Sequence, residues 1–392
     1  MEFKKSHFSF LHVIQFFESD QGYEEDLLSK YQAMDGNKVY ILTSNLLPGR
    51  EGRSFLSRIM LPCIESDFNR IIIRLPIFLL PSKASILIGA IIPLIFLRYD
   101  YLQLHGLLNP LGFLYGIIAR LRRKKVISDN HDFIYSTHQL AYKGRSIYHV
   151  LRKYEFIIIR KILGKLQLNI SNYIFAYERL CVNFLKDFYE FRGNIKMLKI
   201  GFDHNLFKVN KKIPNKNKEI INIGFVGQIS KRKKPEELLK IVNRLPGNYH
   251  LIIIGGWEKN TLRNFQILLE NYKLKNRIKI IGEVNYTALP KFMNQLDLCL
   301  YLHSSSVSCL QILGCGIPIL ISQNQQFAES ALYYGDILNS FKEGEIINLV
   351  VNWINKNLIS FPQLSSDSKK YKKIVEDLSF QKTYLEICEY IK

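Results

Sequence analysis

At 392 residues, of which 47% are hydrophobic, the chain is longer than a single hydrophobic core usually serves, so we expect two well-packed domains. The 54 Lys and Arg residues exceed the 34 Asp and Glu residues, and the net charge of +20 favours an anionic partner such as nucleic acid, a phosphorylated small molecule or an anionic membrane face. The six cysteines show no CxxC or CxxH spacing, which disfavours a structural zinc site and favours a reduced, cytoplasmic protein.

The first apolar stretches are ambiguous with respect to membranes. Residues 1–20 carry lysines before an apolar run, but polar residues interrupt it and no small-residue cleavage site follows, so we do not predict a signal peptide. The uncharged segment 84–97 contains Pro93 and is shorter than the roughly 20 residues of a spanning helix. It is either a buried helix or an apolar patch that lies on a bilayer.

Strand-length apolar runs alternate with helical patterns through the first half. Near-continuous apolar strands separated by helices indicate parallel sheets covered on both faces. The predicted strands are 10–17, 38–43, 70–75, 101–106, 124–129, 173–177 and 195–201, and the predicted helices are 23–35, 109–122 and 147–165.

A polar, lysine-rich segment separates the two halves, and the alternation restarts after it. Two doubly wound domains follow, with ligands expected at the carboxyl ends of the strands, in the cleft between the domains. We predict an N-terminal domain (1–207), a basic linker (208–219), a C-terminal domain (220–370) and a last helix (371–392) that packs back toward the N-terminal domain. The predicted strands of the second half are 221–227, 249–256, 277–282 and 296–302, and its predicted helices start at Pro235 and cover 258–273, 287–295 and 308–314.

Two loops at predicted strand ends of the N-terminal half carry candidate site residues. In the first, Gly22 precedes a helix, so backbone N–H groups could approach a phosphate there. In the second, Asp129, His131 and Asp132 follow an apolar strand. An imidazole beside carboxylates could donate a hydrogen bond to a leaving phosphate or orient an acceptor hydroxyl. His105 ends the preceding strand, and we expect it to be structural.

Two further loops, in the C-terminal half, favour an anion. The run Lys231–Lys234 lies between a strand end and a helix that starts at Pro235, a position suited to a diphosphate. The segment "SSSVSCLQILGCGIPILIS" (304–322) predicts a serine-rich turn followed by a short helix. The turn and the first helical residue, Ser306, Val307 and Ser308, would present N–H groups to the nucleotide part of the ligand.

These pieces, taken in order, resemble a known family over nearly the whole chain. The segments are "LHVIQFFESDQGYEEDLLSKYQAMDGNKVYILTSN", "LQLHGLLNP", "SDNHDF", "GFVGQISKRKKPEELL", "LIIIGG", "IKIIGEV", "LDLCLYL", "LGCGIPILIS" and "EDLSFQKTYLEICEYIK". The order and spacing are similar to those of retaining glycosyltransferases with the GT-B fold, family 4 in particular. The resemblance implies transfer of a sugar from a nucleotide diphosphate donor to a hydroxyl, with no metal or other cofactor.

The resemblance also implies site residues, some of them changed. Where the family has two glutamates eight positions apart, this chain has His303 and Gln311. Gln311 can accept from a ribose hydroxyl and His303 can hydrogen-bond a sugar. Gln228 stands where the family has an arginine, Lys233 matches the family's lysine, and Arg232 is a candidate to supply the missing charge.

Alternatives remain open at this stage. The three changed signature residues allow a catalytically silent GT-B scaffold, and a nucleotide-sugar epimerase would need cleft carboxylates such as Asp132 and Glu283, the latter also a donor-binding candidate. Clustering of the cations in a linker and one loop disfavours a nucleic-acid binder. We expect a nucleotide sugar and a glycan or lipid-linked acceptor as partners, in cell-surface polysaccharide or glycolipid synthesis. The apolar segment 84–97 and the basic segment 120–125 predict peripheral contact with an anionic membrane face.

Overall fold

The structure is a computed structural model, and it describes most of the chain. The described residues are 8–48, 56–59, 63–79, 85–107, 109–131, 158–209, 219–323, 325–339, 344–358 and 364–392.

A mixed sheet of eight strands forms the first body. Its strand order is β12-β11-β10-β9-β1-β2-β6-β5, and all neighbours are parallel except the edge strand β5, which is antiparallel to β6. Two small antiparallel pairs, β3 with β4 and β7 with β8, lie outside it. The strands are β1 (Ser9–Val13), β2 (Lys38–Ser44), β3 (Leu46–Pro48), β4 (Leu56–Ile59), β5 (Cys63–Asp67), β6 (Arg70–Leu75), β7 (Phe78–Leu79), β8 (Ser85–Ile86), β9 (Tyr101–His105), β10 (Lys125–Asn130), β11 (Tyr173–Tyr177) and β12 (Lys196–Leu198).

Helices follow the strands of this body. The central strands β1, β2, β9, β10 and β11 are almost fully buried, because helices cover the sheet. A π-type turn (Ile158–Leu163) leads into the fourth helix. The helices are α1 (Glu24–Met34), α2 (Ile91–Phe96), α3 (Gly112–Leu121), α4 (Gly164–Ile170) and α5 (Glu178–Asp187).

A six-stranded, fully parallel sheet forms the second body, in the order β15-β14-β13-β16-β17-β18. Its strands are β13 (Ile221–Val226), β14 (Tyr249–Ile254), β15 (Ile278–Gly282), β16 (Leu298–Tyr301), β17 (Ile319–Ser322) and β18 (Gly335–Leu338). Its helices and the C-terminal ones are α6 (Glu236–Arg244), α7 (Lys259–Asn271), α8 (Leu289–Met293), α9 (Ser308–Gly314), α10 (Glu345–Trp353), α11 (Lys369–Leu378) and α12 (Phe380–Ile391).

The predicted fold class is confirmed: two Rossmann-like bodies with parallel sheets. Every predicted strand is present, and its ends lie within four residues of the predicted ones. The edge strands β5 and β18 were not predicted. The predicted helix 147–165 lies outside the described residues up to residue 157, and most of the predicted linker 208–219 also lies outside them. The proposed domain boundaries therefore stay a prediction.

The predicted last helix (371–392) is in fact two helices, α11 and α12, separated at Ser379, and α12 contacts the first body. The hydroxyls of Tyr101 and Tyr173 each donate to the carbonyl of Ile391, both at 3.2 Å, and the Tyr384 hydroxyl donates to Asp35 at 3.0 Å. These bonds fix the C-terminal end of the chain to β9, β11 and the end of α1.

A buried ion-pair network fixes the start of α1 to β6. The guanidinium of Arg70 is fully buried and donates to Asp26 Oδ1 at 2.8 Å, to Ser29 Oγ at 2.8 Å and to Asp67 Oδ2 at 2.6 Å. A buried charge persists only when it is paired and hydrogen-bonded in this way. The network therefore holds the first turn of α1, which begins at Glu24, in a defined place at the edge of the sheet.

The apolar segment 84–97 does not form one long helix. It contains β8, a short 3₁₀ turn (Ile88–Ala90) and the six-residue helix α2. Among the described residues, no helix is both long and apolar enough to cross a membrane. Leu87, Ala90 and Leu94 are buried in the core of the first body, whereas α2 turns other apolar side chains to the surface.

Candidate functional site

Asp129 is the centre of a buried polar cluster at the carboxyl ends of the first sheet. It lies on β10, opposite His105 of β9 in the parallel register. Its Oδ2 accepts from His105 Nδ1 at 2.8 Å and from Gln103 Nε2 at 3.1 Å, and its Oδ1 accepts from the Gly106 amide at 3.2 Å. Burial opposes ionisation of Asp129, yet the facing His105 and these hydrogen bonds hold its pKa below the ordinary value.

The cluster continues through two histidines into α1. His105 Nε2 lies 2.8 Å from His12 Nδ1, and His12 Nε2 lies 2.6 Å from Gln32 Oε1. Burial and the charge of His105 lower the pKa of His12 to about 3, so His12 is neutral. Burial also opposes the charge on His105, but Asp129 outweighs it and raises the pKa of His105. A charged His105 donates to both neighbours, and a neutral His12 then donates to Gln32. His105 thus belongs to a buried hydrogen-bond network, and its structural role stays a prediction.

His131 lies at the mouth of this cluster, directly after β10. Its side chain is 45% exposed, and its Nδ1 lies 3.5 Å from Oε2 of the buried Glu24, the first residue of α1. Burial, reinforced by the charge of Asp129, raises the pKa of Glu24 to about 7. Asp132, the other predicted catalytic residue, lies outside the described residues. Glu24 was not predicted as a site residue from the sequence.

The same cluster contains residue types that can ligate a cation. Glu24, His105 and Asp129 each have a ligand-type atom within 4.8 Å of the others. However, both oxygens of Asp129 already accept hydrogen bonds, and both ring nitrogens of His105 are within hydrogen-bond distance of a partner. A metal would have to displace these bonds, so the donor set fits a hydrogen-bonded network better than a cation.

Lys233 and two serines meet around Gly227, at the carboxyl end of β13. A Cβ atom placed on Gly227, whose φ is +131°, would lie 3.0 Å from Ser306 Oγ, 3.2 Å from Lys233 Nζ and 3.6 Å from Ser308 Oγ. The glycine therefore leaves a small space surrounded by one ammonium and two hydroxyl groups. These are the predicted donor-binding residues that the structure brings together.

The ammonium of Lys233 has no acidic partner among the described residues. Its Nζ lies 5.2 Å from the centre of the Phe225 ring. Burial, and then the nearby charge of Arg232, lowers its pKa to about 8. A desolvated cation without a counter-ion gains from an anionic ligand, because the ligand restores the stabilisation that burial removed. Arg232 itself is exposed beside it.

A hydrogen-bond network holds the serine turn in place. Ser308 Oγ donates to the Val226 carbonyl at 2.7 Å and lies 2.9 Å from the buried Tyr301 hydroxyl and 2.6 Å from Ser306 Oγ. Helix α9 is fully buried and begins at Ser308, immediately after Val307. The ends of β13 and β16 and the start of α9 are thus joined through one hydroxyl group.

His303 and Gln311 have different surroundings. His303 Nε2 lies 2.7 Å from Oε2 of Glu237, a buried carboxylate on α6, so one of its two ring nitrogens already has a partner. Gln311 is buried on α9, and its side-chain amide forms no hydrogen bond within the described part of the chain. Their roles in donor binding stay predictions, and Glu237 was not predicted to lie beside His303.

The remaining predicted residues lie at the edges of the site. Gln228 and Glu283 are exposed, after β13 and β15 respectively. Gly22, with φ +67°, packs against the ring of Tyr286 from the second body, since a Cβ atom on Gly22 would lie 1.9 Å from Tyr286 Cε2. The Gly22 amide also faces Asp26 Oδ2 at 3.4 Å. Gly22 thus marks a close approach between the two bodies, and its phosphate-binding role stays a prediction.

Comparison with known proteins gives matches to sugar-transferring enzymes. The family model described as Glycosyl transferases group 1 matches residues 207–335. An uncharacterized glycosyltransferase of Methanocaldococcus jannaschii is 27% identical over 262 residues. That alignment covers 63% of this chain and 63% of the relative.

Solved structures resemble the whole chain. Sucrose-phosphate synthase from Thermosynechococcus elongatus has a TM-score of 0.71 at 14% identity and covers 98% of both chains. Anabaena HepE in complex with UDP-glucose has a TM-score of 0.64 at 13% identity, covering 98% of this chain and 99% of the other. At such identities the likeness shows the fold, which is that of the GT-B glycosyltransferases.

Proposed function

We propose that this chain is a glycosyltransferase that moves a hexose from a nucleotide diphosphate donor to a hydroxyl acceptor with retention at the anomeric carbon. The observation that carries the proposal is the half-buried Lys233, which has no acidic partner among the described residues and faces Gly227, Ser306 and Ser308. The Glycosyl transferases group 1 match covers this part of the chain, and the GT-B fold is shared with HepE, whose structure contains UDP-glucose.

In this proposal the second body holds the donor. The diphosphate occupies the space above Gly227, where Lys233 and the serine hydroxyls donate to its oxygens and Arg232 adds charge. Negative charge grows on the diphosphate as the bond to the sugar breaks, so fixed donors at this position lower the barrier. Gln311 accepts from a ribose hydroxyl and His303 contacts the sugar. Gln228, Glu283 and Val307 border the donor, and Gly22 approaches it from the first body.

The first body supplies the acceptor side. His131 projects its ring from the end of β10 into solvent, where it can orient the incoming hydroxyl, with Asp132 next to it in the chain. Retention requires the hydroxyl to arrive on the face from which the diphosphate departs. No step needs a metal, because Lys233, Arg232 and backbone N–H groups offset the diphosphate charge.

A panel of nucleotide sugars tests this proposal. Isothermal titration should detect a UDP, GDP or ADP sugar with micromolar affinity, and NMR of the product should show the anomeric configuration of the donor. Turnover with inversion would refute the proposed retention but not the proposed glycosyl transfer. If no nucleotide sugar binds, the chain is instead a GT-B scaffold without a donor.

We further propose that the protein works at an anionic membrane face, the cytoplasmic one, on a lipid-linked or glycan acceptor. Helix α2 exposes Ile92, Ile95 and Phe96, at 64%, 45% and 78%. The guanidinium of Arg122 donates to the carbonyls of Leu94 and Leu97. The basic segment 120–125 therefore lies against α2, which places cations beside the apolar side chains.

Apolar side chains bordered by cations favour an interfacial position on anionic lipid. Each Lys or Arg near such a surface contributes about 1 kcal/mol. We expect co-sedimentation with phosphatidylglycerol vesicles at low salt that weakens in Phe96→Asp and in Arg123→Glu. Leu385→Asp, which changes an exposed leucine on α12, is the matched control. Equal binding by all three variants, or none by the parent, would contradict membrane contact.

A further inference from the structure

Glu24 is a buried carboxylate in contact with an exposed ring. Only 5% of its surface is exposed, whereas the His131 side chain is 45% exposed. Its Oε2 lies 3.5 Å from His131 Nδ1. Contacts of this length in the absence of substrate commonly shorten in the reacting complex. The arrangement joins the interior of the first body to a ring at its surface.

The second oxygen of Glu24 is buried beside a tyrosine. Within the described part of the chain, neither Glu24 Oε1 nor the buried hydroxyl of Tyr177, which ends β11, is within the geometry of a hydrogen bond, although the two groups interact electrostatically. Unpaired buried polar atoms are uncommon, and they cluster where a group changes its protonation or its partner. The ionisable groups that face Glu24 from the surrounding elements are Asp129, His131, His105, Tyr177 and, on the same helix, Glu25.

We propose that Glu24 is a positioning residue for His131 and selects which ring nitrogen carries the proton at the cleft. An ionised Glu24 accepts from Nδ1–H, so Nε2 carries the lone pair and is the ring nitrogen that can accept a hydrogen bond from the acceptor hydroxyl. A neutral Glu24 donates to Nδ1 instead, and Nε2 then carries the proton and cannot accept. This inference rests on the proposed function, because it gives the selected tautomer a hydroxyl to orient.

The surroundings of Glu24 place this change near neutrality. Burial and the charge of Asp129 raise its pKa to about 7, while His131 acts in the opposite direction. The productive form, with Glu24 ionised, therefore gains population as the pH rises through about 7. Donor binding at Lys233 does not involve this pair. The effect of Glu24 should accordingly appear in kcat and leave the KM for the donor unchanged.

Two substitutions separate positioning from folding. Glu24→Gln retains an amide oxygen that can accept from Nδ1–H but cannot ionise, so we expect near-parental kcat with the rise near pH 7 removed. Glu24→Ala removes the acceptor, and kcat should fall roughly tenfold or more, within the range for acid–base positioning. Glu25→Gln, one residue along the same helix turn, is the control: it should keep the parental kcat and the rise with pH, with the rise moved to slightly lower pH because the charge of Glu25 raises the pKa of Glu24. A parental pH profile in Glu24→Gln, or a raised donor KM with unchanged kcat in Glu24→Ala, overturns the proposal.

An NMR measurement keeps the inference testable if no donor gives turnover. The ¹⁵N shifts of His131 should report the Nδ1–H tautomer above pH 7 in the parent, and the Glu24 carboxyl carbon should titrate near pH 7. His131→Ala should move that titration to higher pH, because His131 favours the ionised form. Titration of Glu24 near pH 4, or no change on removing His131, overturns the pairing. If the NMR results are as expected but no donor is turned over, the pairing of Glu24 with His131 stands and only the proposed function is refuted.

Discussion

Lys233→Ala is the most direct test of the donor site. Lys233 meets Ser306 and Ser308 around Gly227, and no acidic side chain pairs with it among the described residues. Its pKa is lowered from 10.5 to about 8, which corresponds to about 3 kcal/mol of stabilisation that burial withholds from the ammonium. A bound diphosphate restores part of this stabilisation, because it places negative charge beside the desolvated ammonium.

The expected loss of diphosphate affinity follows from the strength of one charge-assisted hydrogen bond. A charge-assisted hydrogen bond contributes roughly 1.5–3 kcal/mol, so Lys233→Ala should weaken nucleoside diphosphate binding by roughly 10- to 150-fold. Isothermal titration with UDP, GDP and ADP measures this loss. Lys231→Ala is the matched control, because Lys231 is an exposed lysine of the same turn and its removal should change the affinity by less than about threefold.

The pH dependence of diphosphate affinity is a second, independent test of the role of Lys233. The ligand binds the protonated ammonium, so the affinity of the parent should be highest below pH 8 and should fall as Lys233 loses its proton above it. The alanine variant should lack this fall. Equal affinity in parent and variant, or the same fall above pH 8 in both, would place the anion elsewhere and would remove the main support for a donor site here.

Three further predictions concern neighbouring groups. Gln311→Ala should raise the donor Kd by a factor corresponding to about 1–3 kcal/mol, whereas Gln311→Glu should bind nearly as the parent does, because a carboxylate also accepts from hydroxyls. His303→Glu should lower the free energy of unfolding, because it places a second carboxylate beside Glu237. Adding Glu237→Gln should restore the free energy of unfolding measured in urea. If it does not, the two positions are not coupled. The pKa of Glu24 is raised from 4.5 to about 7, so its burial costs stability increasingly as the pH rises from about 4.5 to 7 and by a constant amount above that. Glu24→Gln should therefore stabilise the protein by up to about 3 kcal/mol at pH 8.5 and by much less at pH 5; an equal stabilisation by the substitution at both pH values would contradict it.

The sequence predicts the fold because buried parallel strands have a strong local signature. Runs such as those of β2 and β14 are apolar on both faces, and helices separate them, so the alternation can be recognised from the sequence without tertiary information. The edge strand β18 was missed because "GDIL" is short and only partly buried. Strands of this kind form through pairing with a neighbour, which local composition does not report.

The site could be predicted only where its residues share one loop or one strand end. Lys233 follows β13 in a basic run, and the serines precede α9, so both were visible. The contact of Glu24 with His131 depends on how α1 packs against β10, and the contact of Glu237 with His303 depends on how α6 packs beside the end of β16. Each of these two contacts joins the start of a helix to the end of a strand that is distant in the sequence. The available signal was an acidic residue in the first turn of a helix, which also has the ordinary role of favouring the helix dipole.

The joint between α11 and α12 is a place where the chain passes between the body with the donor site and the body with the acceptor side. The chain passes from the second body to the first at Ser379, where the Phe202 amide donates to the Leu378 carbonyl and the Phe380 amide donates to the Phe202 carbonyl, both at 2.9 Å. A Cβ atom on Gly201 would lie 2.3 Å from the Phe380 nitrogen, so glycine permits this close approach. Because Tyr101 bonds α12 to the first body and Tyr371 bonds α11 to the second, any change in the distance between His131 and Lys233 would include a change of backbone angles at or near this joint.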